Sequence, residues 1–106
     1  MKQPAEVHEF SLGDMKPGGQ IEIVGAQDAR YRLTAPGGVE LKDDGRVHGL
    51  VLETDPIFNP LLIYPNDVAV SCKIGVGRKF EIYRFENGRW LFGIKASAKK
   101  IIILSQ

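Results

Sequence analysis

Apolar and polar residues alternate along much of this chain, and no window keeps a 3.6-residue apolar period long enough to define a helix. Strict alternation marks a strand with one buried face, because successive side chains point to opposite sides. Val68, Val70, Cys72 and Ile74 alternate with Ala69, Ser71 and Lys73, which predicts one half-buried strand over 68–74. The run 99–105 is apolar on both faces and predicts a strand covered on both sides.

The turns set the register of these strands. Asn87-Gly88 between apolar runs is a strong hairpin signal, because both residues tolerate positive φ. A two-residue loop there pairs Glu86 with Arg89, Phe85 with Trp90 and Tyr83 with Phe92, so charge meets charge and ring meets ring. Phe80 and Ile82 then fall on the opposite face from Tyr83 and Phe85, which calls for a bulge near Ile82 or cover on both faces. A second hairpin joins 20–25 to 29–34. A three-residue loop sets Ile23 against Tyr31, Ile21 against Leu33 and Glu22 against Arg32, whereas a two-residue loop would oppose Ile21 to Arg32. Asp44-Gly45 marks a third, with Leu41 expected opposite His48, Val39 opposite Leu50 and Lys42 opposite Val47. Pro17-Gly18-Gly19 and Pro36-Gly37-Gly38 fit type II turns rather than phosphate loops, since neither follows the Walker pattern or leads into a helix.

About eight short strands with tight turns and no crossover helix predict a single all-β domain over residues 1–106. A small antiparallel β-barrel, SH3-like or OB-like in size, or a compact β-sandwich would both satisfy the pattern. The barrel is the form we expect. Segment 54–67 resists it: Pro56, Pro60 and Pro65 exclude a regular helix or central strand, yet Ile57, Phe58, Leu61, Leu62, Ile63 and Tyr64 are apolar. Such a loop is either packed over the domain or exposed for a partner.

Composition narrows the class. With 43% hydrophobic and 25% charged residues, the 106-residue chain has the make-up of a folded globular domain. Cys72 is the only cysteine, so no disulfide forms within the chain, as in a reducing compartment. The charged N-terminal stretch does not read as a signal peptide, and the longest apolar run, Ile101 to Leu104, is far short of a membrane span. The expected location is cytoplasmic, with no membrane contact.

Charge is divided along the sequence. Residues 1–71 carry 6 Lys/Arg against 11 Asp/Glu, a net of −5; residues 72–106 carry 8 Lys/Arg against Glu81 and Glu86, a net of +6. Such asymmetry points to an anionic partner, or to pairing of the halves with each other or with a second copy. Glu22, Glu40 and Glu53 are the carboxylates expected to neutralise Arg84 or Lys95.

Three binding roles follow from these residues, and no enzymatic one. The leading expectation is a non-enzymatic interaction module, a homodimer or protein binder whose contacts come from Phe58, Leu62 and Tyr64 of the loop and Ile101 and Ile103 of the last strand. The alternative is a nucleic-acid-binding barrel, with Arg78, Lys79, Lys99 and Lys100 on phosphates, Trp90 or Tyr83 as a stacking surface, and the 75–79 turn offering backbone N–H groups. In that case the four hairpin aromatics would be outside; their shared register favours the core. A third role is a small-molecule or carbohydrate binder with a cleft under 54–67. No cofactor or metal is expected, because His8, His48 and Cys72 lack the close ligand pairs of a zinc site. A Cys72–His48 pair would still want a third, orienting group.

Overall fold

The structure, a computed structural model, describes residues 4–54 and 68–106. Eleven strands lie among them, with β1 (Ala5–Val7) and β2 (Glu9–Ser11) leading into a 3-10 turn at Leu12–Asp14. β3 (Gly19–Val24) and β4 (Arg30–Ala35) follow, then β5 (Glu40–Leu41), β6 (Arg46–Thr54), β7 (Val68–Ser71) and β8 (Lys73–Gly75). β9 (Lys79–Glu86), β10 (Arg89–Ser97) and β11 (Lys100–Ser105) complete the order. All named pairs are antiparallel, so the fold is all-β as the alternation requires. Among the described residues no helix is long and apolar enough to cross a membrane.

One path of pairing runs β1-β11-β3-β4-β6-β7-β9-β10, with β5 on β6, and among the described residues its two ends do not pair. The expected barrel is therefore not closed; the sheet instead bends across itself as the sandwich alternative does. β6 makes the bend. Residues 51–54 pair with β4, while 46–50 pair with β5 and β7, so one strand serves two leaves. Gly49 sits at the change of leaf with φ +101°, and a Cβ there would lie 2.7 Å from the Gly38 carbonyl oxygen. Only glycine meets both demands. The leaves face each other through Ile21, Ile23, Leu33 and Ile101 on one side and Val47, Val70, Phe80 and Ile82 on the other. Tyr31 meets Phe80 across the gap, edge to face, at 5.5 Å. β2 and β8 form a small second sheet beside Leu12, Met15 and Ile74 of the core.

The hairpin registers hold with one exception. β9 and β10 pair Glu86 with Arg89, Phe85 with Trp90 and Tyr83 with Phe92, and the loop residues Asn87 and Gly88 both have positive φ. β3 and β4 pair Ile23 with Tyr31, Ile21 with Leu33 and Glu22 with Arg32 around a three-residue loop. The third hairpin differs from expectation by one residue: Leu41 faces Val47 and Glu40 faces His48. Its loop takes in Asp43, with Gly45 N–H on the Lys42 carbonyl and Lys42 N–H on the Arg46 carbonyl. Only Gly45 of the loop has positive φ, whereas the two-residue loop would need it at Asp44 as well.

Two further expectations are revised. Lys16-Pro17-Gly18-Gly19 has the type II signature, with φ +83° at Gly18 and Gly19 N–H on the Lys16 carbonyl. At 35–38 the positive φ falls on Gly38 instead of Gly37, so that turn is not type II. The single strand over 68–74 is also broken at Cys72, whose neighbours pair with different sheets: β7 with β6 and β9, β8 with β2.

Candidate binding surface

Backbone pairing gathers the basic C-terminal half at one corner. Gly77 N–H donates to the Ala98 carbonyl at 2.8 Å and Ala98 N–H donates to the Arg78 carbonyl at 3.0 Å, which locks the β8–β9 turn to the β10–β11 turn. Lys79 then faces Ser97 in the ladder, and Lys99 N–H donates to the Val24 carbonyl. Arg78, Lys79, Lys99 and Lys100, distant in sequence, thus meet as one exposed group. The turn's own N–H groups are not available to an anion, contrary to expectation. Val76 N–H is bound to the His8 carbonyl and Arg78 N–H to Gly75, so the site is made of side-chain cations.

Among the described residues the acidic half reaches that corner only through Glu9. Glu22 accepts from Arg30 and, at 2.9 Å, from Arg32. Glu40 holds Lys42 at 2.8 Å and Asp44 holds Arg46 at 3.0 Å. Glu53 accepts from Thr34 at 3.3 Å. The expected neutralisation of Lys95 by Glu22, Glu40 or Glu53 is replaced by these pairings within the N-terminal half, and the Arg84 side chain lies outside what the structure describes. Glu9 alone reaches across among the described ion pairs, to Lys73 at 3.3 Å and Arg78 at 3.8 Å. Lys79, Lys95, Lys99 and Lys100 have no ion-pair partner among the described residues.

Glu22 itself is 5% exposed. Burial pushes its carboxyl up, but the hydrogen bonds from Arg30 and Arg32 outweigh that and hold it below the ordinary value. Position in the ladder explains the trio: Arg32 lies directly opposite Glu22, and Arg30 lies one residue pair away on the same face.

Tyr83 and Phe92 of the β9–β10 hairpin lie on its outer side, against the expectation that the hairpin aromatics pack in the core, while the Phe85 side chain lies outside what the structure describes. Phe80 and Ile82 take the core side of β9. The bulge expected near Ile82 falls on the partner strand at Gly93, since Phe92 faces Tyr83 and Ile94 faces Ile82. The extra residue lets Ile94 join the inner side while Phe92 stays outside, 55% exposed. Tyr83 and Phe92 meet edge to face at 5.5 Å, and the Arg46 guanidinium lies 4.3 Å from the Tyr83 ring centre. Tyr83 donates its hydroxyl to Glu81. The Tyr83 side chain, and after it Asp44, raise Arg46 above its ordinary value. Trp90 is half-buried against His48, ring centres 4.5 Å apart.

The last strand is interior. β11 pairs with β1 on one side and β3 on the other, Ile101 is fully buried and Ile103 packs on the core. Ile101 therefore offers no surface to a partner. Phe58, Leu62 and Tyr64, and the cleft expected under 54–67, lie outside the described residues. His48 and Cys72 are given different neighbours: the His48 Nε2 is buried without a hydrogen-bond partner among the described residues, and the Cys72 thiol lies 4.0 Å from the Ser11 hydroxyl. Among the described residues no three of His, Cys, Asp and Glu gather as metal ligands would. Sequence reasoning missed Arg46 beside the aromatic face, because its approach to Tyr83 depends on β7 lying between β6 and β9. No protein-family model matches the chain, and no curated protein or solved structure matches it either.

Proposed function

We propose that this chain is a non-enzymatic binding domain that takes an anionic partner at the corner formed by the β8–β9 and β10–β11 turns. The observation that carries this reading is the convergence of Arg78, Lys79, Lys99 and Lys100, three of them without a carboxylate among the described residues. Cations brought together in this way raise the local concentration of an anion and steer its approach. The single unpaired Cys72 supports a cytoplasmic setting as part of the same reading. The test is retention on immobilised heparin at low salt, compared with a variant carrying Lys79→Glu, Lys99→Glu and Lys100→Glu. Retention of the parent and early elution of the variant are expected; equal elution of both would overturn the proposal.

Self-association is a second reading, favoured by Leu41 at 58% and Phe92 at 55% exposure in the same leaf. It now rests on these residues in place of Ile101. Light scattering on the parent and on a Leu41→Ser, Phe92→Ser variant decides it: a dimer mass that the variant loses supports the reading, and a parent monomer at high concentration ends it.

A further inference from the structure

The outer face of the β9–β10 hairpin carries two kinds of contact in one line. From the corner toward the hairpin tip, the facing pairs are Lys79 with Ser97, Glu81 with Lys95, and Tyr83 with Phe92. At about 3.3 Å per residue, Tyr83 lies about 13 Å along the strand from Lys79. That is about four steps of a stacked nucleic-acid strand at about 3.4 Å each. Tyr83 is fixed by Glu81, Arg46 and Phe92, whereas Phe92 keeps more than half its surface open.

We propose, resting on the anion-binding reading above, that the partner is a single-stranded nucleic acid whose phosphates run along Lys79, Lys95, Lys99 and Lys100 while a base stacks on Phe92. Ring and cation together select the ligand. An acidic peptide is drawn to the lysines but gains nothing at Phe92, because the face of an aromatic ring is electronegative and repels a carboxylate. A duplex offers its phosphates with its bases already stacked on one another and read only at their edges. A single strand offers both an anionic backbone and free base faces. Arg46 stands beside the pair as a cation held in place by Asp44, able to meet a base or a phosphate next to Tyr83.

The experiment titrates the whole protein with a fluorescein-labelled single-stranded oligonucleotide, the matching duplex, heparin and polyglutamate, reading anisotropy and Trp90 fluorescence. The parent, Phe92→Ala and Phe92→Tyr are compared, with thermal melts confirming that each variant is folded. Single strand is expected to bind tightest. Phe92→Ala should weaken it by about 5- to 150-fold, the worth of one stacked base, with heparin binding unchanged and Phe92→Tyr retaining affinity. Replacing Lys79, Lys99 and Lys100 by Ala should lower the slope of log affinity against log salt by about 2. Equal binding of duplex or polyglutamate, or single-strand binding indifferent to Phe92→Ala, overturns this inference while leaving the anion-binding reading in place. Failure of every polyanion to bind overturns both.

Discussion

Glu22 is a carboxylate with almost no surface, held by two arginines whose own side chains are half in water. Its folded value lies below the ordinary 4.5, so it stabilises the native state above that pH and the contribution disappears as pH falls through the folded value. Glu22→Gln keeps the volume and loses the charge; it is expected to cost about 1.5–3 kcal/mol at neutral pH. Urea melts of parent and variant across the acid range should converge as pH drops below 4.5. Gly49 has a different constraint. Gly49→Ala places a Cβ against the Gly38 carbonyl at φ +101°, and backbone strain alone is worth about 1–3 kcal/mol. A urea midpoint unchanged by that substitution would contradict the bend in β6. Trp90→Ala removes a half-buried ring packed on His48, and about 1–3 kcal/mol is expected, less than the roughly 3–5 kcal/mol of a fully buried aromatic.

At the scale of elements, local chemistry was legible where a turn and a cross-strand pattern agreed. Asn87-Gly88 and the Glu22–Arg32 pairing each left one sensible register, and both are realised. Asp44-Gly45 pointed to a two-residue loop, which the structure overturns: Gly45 alone takes positive φ, at the αL position of a three-residue loop. β1 and β2 were not legible, because three-residue strands with Glu6 and Glu9 show no usable alternation and are specified by the strands they meet. Alternation through 68–74 gave no sign of the break at Cys72, since β7 and β8 keep the same period while joining different sheets. The direction in which the hairpin aromatics face was equally hidden. Alternation separates Tyr83 from Ile82 but does not say which side is wet, and the bulge at Gly93 supplies the inner residues that make the aromatic side outer. Gly93→Val would crowd the Ile82 carbonyl, 3.1 Å from the new Cβ, and is expected to lower the melting temperature while the hairpin turn is unchanged.

For the whole molecule, the division of charge along the sequence persists in space because the acidic residues found partners near them. Arg30, Arg32, Lys42 and Arg46 use up Glu22, Glu40 and Asp44, and most C-terminal cations stay unmatched among the described residues. The sequence showed the charges and the Glu22–Arg32 pair, but not the Glu40–Lys42 and Asp44–Arg46 pairs, which depend on how the β5–β6 hairpin turns. The candidate corner was legible as a set of cations; its unity depends on the contact of Gly77 with Ala98, between two turns that no local pattern connects.

β11 fills the place between β1 and β3, so an interior strand of the larger sheet is drawn from residues 100–105. On the ribosome the β3–β4 hairpin can form early, yet the edge of β3 stays open until residues 100–105 have been made. Pairing of Ala5 with Ile103 must then join residues far apart in sequence, a slow, late step in a topology already rich in distant contacts. Until β11 docks on β3, Ile21 and Ile23 border an unpaired strand edge, the kind of surface that recruits other nascent chains. Lys99 and Lys100, at the start of the apolar strand, supply charge at that moment, so two residues of the candidate ligand corner are also expected to guard the newly made chain against aggregation. Replacing both by Ala is expected to lower the yield of soluble protein during synthesis more than it lowers the stability of the purified fold.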